Sequence, residues 1–351
     1  MTFVRPRLLA LATAVPAHRL GQEDAARRAR LIFGKGADFD LDRLLPVFDH
    51  AGVGERRSCV AIDWFERPHG WVERNALYLE HAVKLLERAA LAALHRARLH
   101  PHDIDEVVCV STTGIATPSL DAMVMGRIGL RPDVRRLPVF GLGCGGGVAG
   151  LARAADLARA RPQARILCLV VELCSLTFRE SDATKSNLVA AALFGDGAAA
   201  AIVSCRGDGP ALGAAAEHTW PNSLDVMGWE VAKDGLKAIF SRDIPTLVER
   251  QMRAVTERVL AADRMKLRDI RHFVCHPGGA KVVSALEAAF ELPQGALDDA
   301  RAVLRQYGNM SAATVLFVLE RMLGSGAEGP MLMTALGPGF TAGFLRLDAP
   351  G

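Results

Sequence analysis

The chain repeats one order of elements after 165 to 166 residues, and this repeat limits the possible folds more than any other feature. The segments HDIDEVVCVSTTG (102–114) and LRDIRHFVCHPGG (267–279) both lead from a helical pattern through Asp-Ile into a buried strand and a polar turn. Cys144 and Asn309, which each stand before an apolar helical pattern, are 165 positions apart. A Gly-x-Gly turn before a late strand also occurs twice, in FGDGAAAAIVS and LGPGFTAGFLRL. The repeat indicates a duplicated unit.

The elements within each half predict an α/β protein. Short aliphatic runs alternate with helical patterns rich in Ala, Leu and Arg, as expected for strands layered against helices. The predicted halves, residues 1–210 and 211–351, meet in RGDGPALGA, a stretch interrupted by glycine and proline. A pseudo-twofold relation between them would bring the two helix starts, and with them Cys144 and Asn309, to a common centre. The alternative is that any two α/β units look this similar.

Charge and cysteine content exclude several classes of protein. The net charge is +3 and the basic residues are scattered, so we expect no nucleic-acid partner. The longest apolar strand-like run, ILCLVVELCSL, is interrupted by Glu172 and is too short to span a membrane. Seven cysteines without Cys-x-x-Cys spacing predict a reducing, cytoplasmic location and no metal site.

The N-terminal segment RPRLLALATAVPAHRL allows two interpretations. Its arginines, apolar run and small residues imitate a secretory signal peptide. The alternative is a first buried strand, Leu8 to Ala14, that ends before Pro16. The cysteine pattern favours the strand.

Cys144 lies in GLGCGGG, where a core cysteine would have no use for the glycines around it. At a helix start, unpaired backbone N–H groups and the positive helix end favour a thiolate. The glycines allow a tight strand-to-helix turn and leave room beside the thiol for an acyl group. Most single cysteines in apolar runs only fill the core, which is the alternative here.

His276 and Asn309 complete a candidate catalytic set. His276 follows the strand pattern HFVC, and α/β proteins place their chemistry at such strand ends. Asn309 stands at a helix start, where an asparagine more often serves only as a cap. Near Cys144, the three residues would supply a nucleophile, a base and an amide donor for acyl transfer.

The motifs GLGCGGG, LFGDGAA, HPGG, YGNMSAATVLF and GPGFT resemble those of type III polyketide synthases in order and spacing, over nearly the whole chain. These chalcone-synthase-like enzymes have the thiolase fold, which implies duplicated α/β halves in a layered α-β-α-β-α arrangement and a homodimer. The resemblance implies that Cys144 carries the acyl group, while His276 pairs with it and, with Asn309, holds the thioester oxygen. The implied reaction loads a starter from acyl-CoA and extends it by decarboxylative condensation with malonyl-CoA. It implies no metal, and no cofactor beyond these coenzyme A thioesters.

The resemblance also places substrate-binding residues at Phe194, Thr112, Thr113, Thr117, Cys174, Ala238, Ser311, Arg56 and Arg57. Phe194 matches the first gatekeeper phenylalanine of the family. Ala238 falls where plant members have a second phenylalanine, with a register uncertain by one position. Thr117 replaces a methionine that crosses the dimer in plant enzymes, and Cys174 replaces a threonine of the cavity.

The smaller residues suggest a wider cavity, which in this family goes with long aliphatic starters and alkylpyrone or alkylresorcinol products. One bulky residue elsewhere would close it again. Cys174 is alternatively an ordinary buried thiol. Arg56 and Arg57 lie where the family binds coenzyme A phosphates, although surface arginines are usually only solvated.

Two other functions are compatible with parts of the pattern. A ketoacyl-acyl-carrier-protein synthase also uses Cys, His and Asn, but that family usually has Gln-Ala-Asn after the histidine, where this chain has Pro-Gly-Gly. A non-catalytic acyl-binding protein on the same fold would not need all three residues.

Overall fold

The computed structural model describes residues 5–34 and 40–350. The strands are β1 (Arg7–Ala14), β2 (His18–Gly21), β3 (Glu55–Ser58), β4 (Glu106–Val110), β5 (Arg135–Val139), β6 (Arg165–Leu173), β7 (Asp196–Ser204), β8 (Ala211–Thr219), β9 (Met227–Ala232), β10 (Gly235–Phe240), β11 (His272–Cys275), β12 (Gly329–Gly337) and β13 (Thr341–Ala349). The helices are α1 (Gln22–Phe33), α2 (Leu41–Leu44), α3 (Val47–His50), α4 (Trp71–Ala97), α5 (Leu120–Ile128), α6 (Gly146–Ala160), α7 (Lys185–Leu193), α8 (Ile244–Ala262), α9 (Ala280–Phe290), α10 (Asp298–Tyr307) and α11 (Thr314–Gly324).

Nine strands form one mixed sheet in the order β11-β12-β13-β8-β1-β7-β6-β4-β5. In the first half, β4 and β6 are parallel, and β7 and β1 follow antiparallel. In the second half, β11 and β12 are parallel, and β13 and β8 follow antiparallel. The order β4-β6-β7-β1 is therefore repeated as β11-β12-β13-β8, and β5 is an additional edge strand beside β4. The repeat in the sequence corresponds to this repeated strand order.

The two halves of the sheet enclose a central layer of two helices. Helix α4 packs on β1 and β7 from outside, and α9 covers β11 through a stacked pair, Phe273 and Phe290. Helix α6 contacts β6 of the first half and β13 of the second, and α11 contacts β1 and β11. The layers thus follow the expected α-β-α-β-α order. The residues of β6 after its first and all residues of β7 are buried, as expected for strands covered on both faces.

The predicted strand Leu8–Ala14 is confirmed, because β1 is an inner strand of the large sheet. It pairs along its length with β7 and meets β8 through Arg7 and Ala211. In the described part of the chain, no helix combines the length and the apolar composition needed to cross a bilayer.

Candidate active site

Cys144 lies in a short 3-10 turn, Gly143–Gly145, that leads directly into the central helix α6. The expected position of the thiol at a helix start is therefore confirmed. Gly143 has a φ of +45° and its backbone N–H donates to Thr112 Oγ1 at 3.1 Å. The left-handed φ favours glycine at this position, and the hydroxyl of Thr112 fixes the turn that presents the thiol.

The glycines after Cys144 serve close packing more than substrate access. A Cβ at Gly146 would lie 2.7 Å from Val110 Cγ1, and one at Gly147 would lie 2.1 Å from the carbonyl oxygen of Ala312. Both contacts are far shorter than van der Waals distance. These glycines therefore let α6 approach β4 and the turn before α11, a reason that the sequence did not indicate.

Asn309 lies next to the thiol, with its Oδ1 4.0 Å from Cys144 Sγ. The Oδ1 accepts a hydrogen bond from the backbone N–H of Ser311 at 2.8 Å, which fixes the orientation of the amide. Its Nδ2 donates to the carbonyl of Gly278 at 3.2 Å. An amide Nδ2 carries two hydrogens, so one remains to donate to a bound group. Asn309 thus acts as a cap and retains a free donor.

His276 follows the end of β11, as predicted, and is buried. Its backbone N–H donates to the carbonyl of Thr334 at 2.9 Å, and Gly278, two residues on, binds Asn309. Among the described residues, neither ring nitrogen of His276 has a hydrogen-bond partner. Two unpaired nitrogens at a buried position are available for a substrate.

Burial keeps both reactive groups neutral. It raises the pKa of the Cys144 thiol to about 11, although a hydrogen bond from Ser311 acts in the opposite direction. It lowers the pKa of His276 to about 4. The helix start predicted a thiolate at Cys144, and the family resemblance implied that His276, as an imidazolium, pairs with it. No hydrogen bond joins His276 to the thiol here, so desolvation decides both shifts.

Glu172, which interrupts the apolar run of β6, lies beside the site. It is fully buried, and its Oε2 accepts from the Thr112 N–H at 3.0 Å and the Thr113 hydroxyl at 2.8 Å. Its Oε1 has no partner among the described residues. Burial raises the pKa of Glu172 to about 7, and its negative charge raises the pKa of Cys144. A carboxylate inside a buried strand was the signal that could have identified it.

Three residues predicted to bind substrate have hydrogen-bond partners within the protein. The hydroxyls of Thr112 and Thr113 are bonded to Gly143 and Glu172, so they position the catalytic turn and the carboxylate. Ser311, which has a φ of +47°, directs its side chain to Cys144.

Phe194 and Cys174 border the site from the side of helix α7. The N–H of Asn309 donates to the carbonyl of Leu193 at 2.8 Å, which places Phe194 beside the catalytic amide. Cys174 is buried, and a thiolate at Cys144 raises its pKa, so the two sulfurs are near neighbours.

Ala238 is buried in one hydrophobic cluster with Cys174 and Phe194, but its small size does not simply widen the cavity. Trp229 of β9 is its direct partner across the hairpin β9–β10. The rings of Trp229 and Phe240 lie 5.9 and 5.7 Å from that of Phe194. The extra space expected from Ala238 is therefore partly occupied by an indole ring from the neighbouring strand, which the sequence could not reveal.

Arg56, predicted to bind a coenzyme A phosphate, has partners within the protein. It is buried, and its guanidinium donates to the carbonyls of Ala191, Ala192 and Phe194 and to Gln22. It therefore holds the end of α7, and its guanidinium is buried rather than presented to solvent. Arg57 is half-buried, and Thr117 is exposed in the single chain.

An apolar pocket lies on the far side of Cys174 and Phe194. This pocket is partly open to solvent and separates these residues from α1 and from the 3-10 turn Ile62–Glu66. Its inner end is formed by buried side chains, and its outer end by Ala25 and Ile32 of α1 and by Phe65. Cys174 and Phe194 are thus shared between this pocket and the surroundings of Cys144.

The sequence profiles of chalcone and stilbene synthases match this chain over residues 69–207, for the N-terminal domain, and 211–347, for the C-terminal domain. A putative chalcone synthase of Bacillus subtilis is 38% identical over 96% of this chain and 97% of its own length. A 1,3,6,8-tetrahydroxynaphthalene synthase of Streptomyces peucetius is 40% identical, over 96% and 92%. The solved structure of the Streptomyces coelicolor synthase of that name, a bacterial type III polyketide synthase, superimposes with a TM-score of 0.93 at 28% identity, covering 98% of this chain and 99% of the other.

The pH dependence of alkylation will show whether the Cys144 side chain is a protonated thiol or a thiolate at neutral pH. Because burial raises its pKa to about 11, we expect its alkylation by iodoacetamide to keep accelerating above pH 8.5. Glu172→Gln removes a negative charge that raises this pKa, so the pH profile of alkylation in this variant should have its midpoint at a lower pH than in the wild type. The tryptic peptide 137–153 contains Cys144 alone, and peptide 166–179, with Cys168 and Cys174, is an internal comparison. A midpoint below 8.5 would instead indicate the imidazolium–thiolate pair expected from the sequence.

Proposed function

This chain belongs to the chalcone and stilbene synthases, the family of type III polyketide synthases, and from this premise we propose that it extends a long-chain acyl starter. As a member of the family, it is a transferase that joins acyl units by decarboxylative condensation with malonyl-CoA. The ketoacyl-acyl-carrier-protein synthase and the non-catalytic acyl-binding protein are therefore set aside. The identity of the starter and the roles of individual residues belong to the proposal.

In the loading step, Cys144 Sγ attacks the thioester carbonyl of the acyl-CoA. The proton of the thiol passes to a ring nitrogen of His276, which is neutral and has no hydrogen-bond partner among the described residues. The bond to the sulfur of coenzyme A breaks, and the proton is returned to this leaving thiolate. The starter is then held as a thioester on Cys144.

In the extension step, the carboxylate of malonyl-CoA leaves as CO₂ and its bonding electrons form an enolate. The free hydrogen of Asn309 Nδ2 and an N–H of His276 donate to the enolate oxygen, in a site from which water is largely excluded. The enolate carbon attacks the thioester carbonyl and displaces Cys144 Sγ. Each cycle lengthens the chain by two carbons and leaves it on coenzyme A.

The apolar pocket beyond Cys174 carries the proposal for the starter. Cys174 lines this pocket and is a neighbour of Cys144, so a chain attached to Cys144 would enter it past Cys174. Most of the wall is aliphatic or aromatic. Each methylene buried there contributes about 0.8 kcal/mol. We therefore assign an acyl-CoA of ten or more carbons as starter and an alkylpyrone or alkylresorcinol as product.

A second candidate product is 1,3,6,8-tetrahydroxynaphthalene, because the chain is 40% identical to a synthase of that name. The ten ring carbons of this compound correspond to five two-carbon units. Malonyl-CoA alone would supply all of them, and the pocket beyond Cys174 would take no starter.

We also assign this chain to a homodimer joined along β5. This edge strand is exposed from Arg135 to Pro138, and Leu137, Phe140 and Leu142 form an apolar surface around it. Uncovered strand edges of this kind pair readily with another chain. A twofold antiparallel pairing centred on Leu137 would set Arg135 of one copy against Val139 of the other, so that no two arginines face each other.

The role of Asn309 is tested through malonyl-CoA decarboxylation, measured as acetyl-CoA and CO₂. Asn309→Ala should lower this rate about 100-fold or more, the usual effect of removing one oxyanion donor. Asn309→Asp keeps the oxygen that caps Ser311 but lacks the donor, so it should be impaired as well. Cys144→Ala, which retains both donors, is the control that keeps decarboxylation. Full decarboxylation activity of Asn309→Asp would show that Asn309 only caps the turn and is not needed as a donor.

A ladder of acyl-CoA starters from acetyl to stearoyl, with malonyl-CoA, distinguishes the two products by mass. We expect apparent affinity to rise roughly fourfold per methylene until the pocket is filled. Ala25→Phe narrows the outer end, so it should depress long starters more than short ones. The control is Ala26→Phe, at the next position of α1 but outside the pocket wall. Products from malonyl-CoA alone would overturn the long-chain starter and favour the naphthalene.

The dimer is tested by sedimentation at defined concentration. The wild type should show twice the chain mass of 37.6 kDa. Phe140→Asp places a charge beside β5 and should shift the equilibrium to monomer, while Leu224→Asp, at another exposed apolar residue, should not. A monomeric wild type would contradict the proposed interface.

A further inference from the structure

The outer end of the apolar pocket lies at a seam between two segments that contain none of the three candidate catalytic residues. One side is the face of α1 with Ala25, Arg28, Ala29 and Ile32, and the other is the turn Ile62–Glu66. The residues at the inner end are almost completely buried, whereas Arg28 at the seam has about a third of its side chain exposed. The pocket therefore opens to solvent at this seam.

One ion pair bridges the seam. Arg28 of α1 contacts the carboxylate of Glu66, the last residue of the turn, and Arg28 also forms part of the pocket wall. Phe65, next to Glu66, lines the same pocket. Moving Arg28 away from Glu66 would thus widen the opening without displacing a buried side chain.

The pair is suited to open and close. Both side chains are partly exposed, at 35% and 42%, and exposed ion pairs contribute only about 0.2 to 1 kcal/mol. Breaking it consequently costs little, and salt weakens it further. By contrast, the inner end is fixed by buried hydrogen bonds such as that from Arg56 to Ala192 at 3.0 Å. Only the outer end is weakly closed.

We propose that Arg28 and Glu66 form a gate at the outer end of the pocket, through which the tail of a long acyl chain leaves the protein. The gate limits chain length: a chain that fits inside leaves the pair intact, and a longer chain must break it. Arg28 and Glu66 are therefore specificity-determining residues for the distal end of the starter. This inference rests on the proposed function in one respect, that an acyl chain occupies the pocket.

The gate is tested with Arg28→Met, which keeps an apolar stem of similar length, and with Glu66→Gln. Each should raise the ratio of kcat/KM for stearoyl-CoA to that for decanoyl-CoA by up to about fivefold, the equivalent of an exposed ion pair. The exchange Arg28→Glu with Glu66→Arg restores opposite charges and should return the ratio toward the wild type. Arg27→Met, which breaks an exposed pair with Asp24 on the same helix, is the matched control and should leave the ratio unchanged.

A binding measurement separates the gate from the proposed reaction. Cis-parinaric acid serves as the fluorescent probe, displaced by stearate or by decanoate, and needs no catalysis. In Arg28→Met and Glu66→Gln, stearate should displace the probe more effectively, relative to decanoate, than in the wild type. Addition of 0.5 M NaCl should raise this displacement ratio in the wild type but not in the two variants. A displacement ratio that neither variant nor salt alters overturns the gate. If the ratio shifts but no acyl-CoA is extended, the gate stands and the proposed starter fails.

Discussion

The active site depends on one close approach, between helix α6 and the turn that precedes α11. A Cβ at Gly147 would lie 2.1 Å from the carbonyl oxygen of Ala312 and 2.8 Å from Val315 Cγ1, so this contact exists only because residue 147 is a glycine. The two helices carry Cys144 and Asn309 at their starts. Their contact at the centre of the five layers brings the sulfur and the amide oxygen to 4.0 Å, although the residues are 165 positions apart. Any larger residue at 147 would separate the helices and, with them, the catalytic groups.

The same central position determines the electrostatics of the site. Helix starts between two sheets are removed from water, and the pKa values of Cys144, His276 and Glu172 all move toward the neutral forms. A neutral site is suited to chemistry in which charge develops only on the substrate. Hydrogen bonds to an enolate oxygen are stronger where the dielectric is low, and a permanent thiolate nearby would repel that oxygen. Burial thus favours the neutral thiol at Cys144.

Much of the fold and the core of the site could be predicted from the sequence, because they depend on local patterns of apolar residues and glycines. The repeat predicted the repeated strand order, and the strand and glycine patterns placed Cys144 and His276 correctly. The packing between distant segments could not be predicted in this way. Arg56 and Arg57 are neighbours, yet one side chain holds the end of α7 while the other is half-buried. The indole of Trp229 fills space beside Ala238 only because β9 and β10 pair in one particular register.

Under the proposed function, the chain divides chemistry and specificity between different segments. Cys144, His276 and Asn309 lie within the ranges that match the chalcone and stilbene synthase profiles. The outer wall of the pocket comes from residues 20–65, which precede the first matched range at residue 69. The catalytic groups are fixed by a helix contact that tolerates no added atom, whereas the wall is built from α1 and a short turn joined at the surface by an ion pair. Substitutions in that wall change the size of the pocket without disturbing the contact that positions Cys144, so the starter can change while the condensation reaction stays the same.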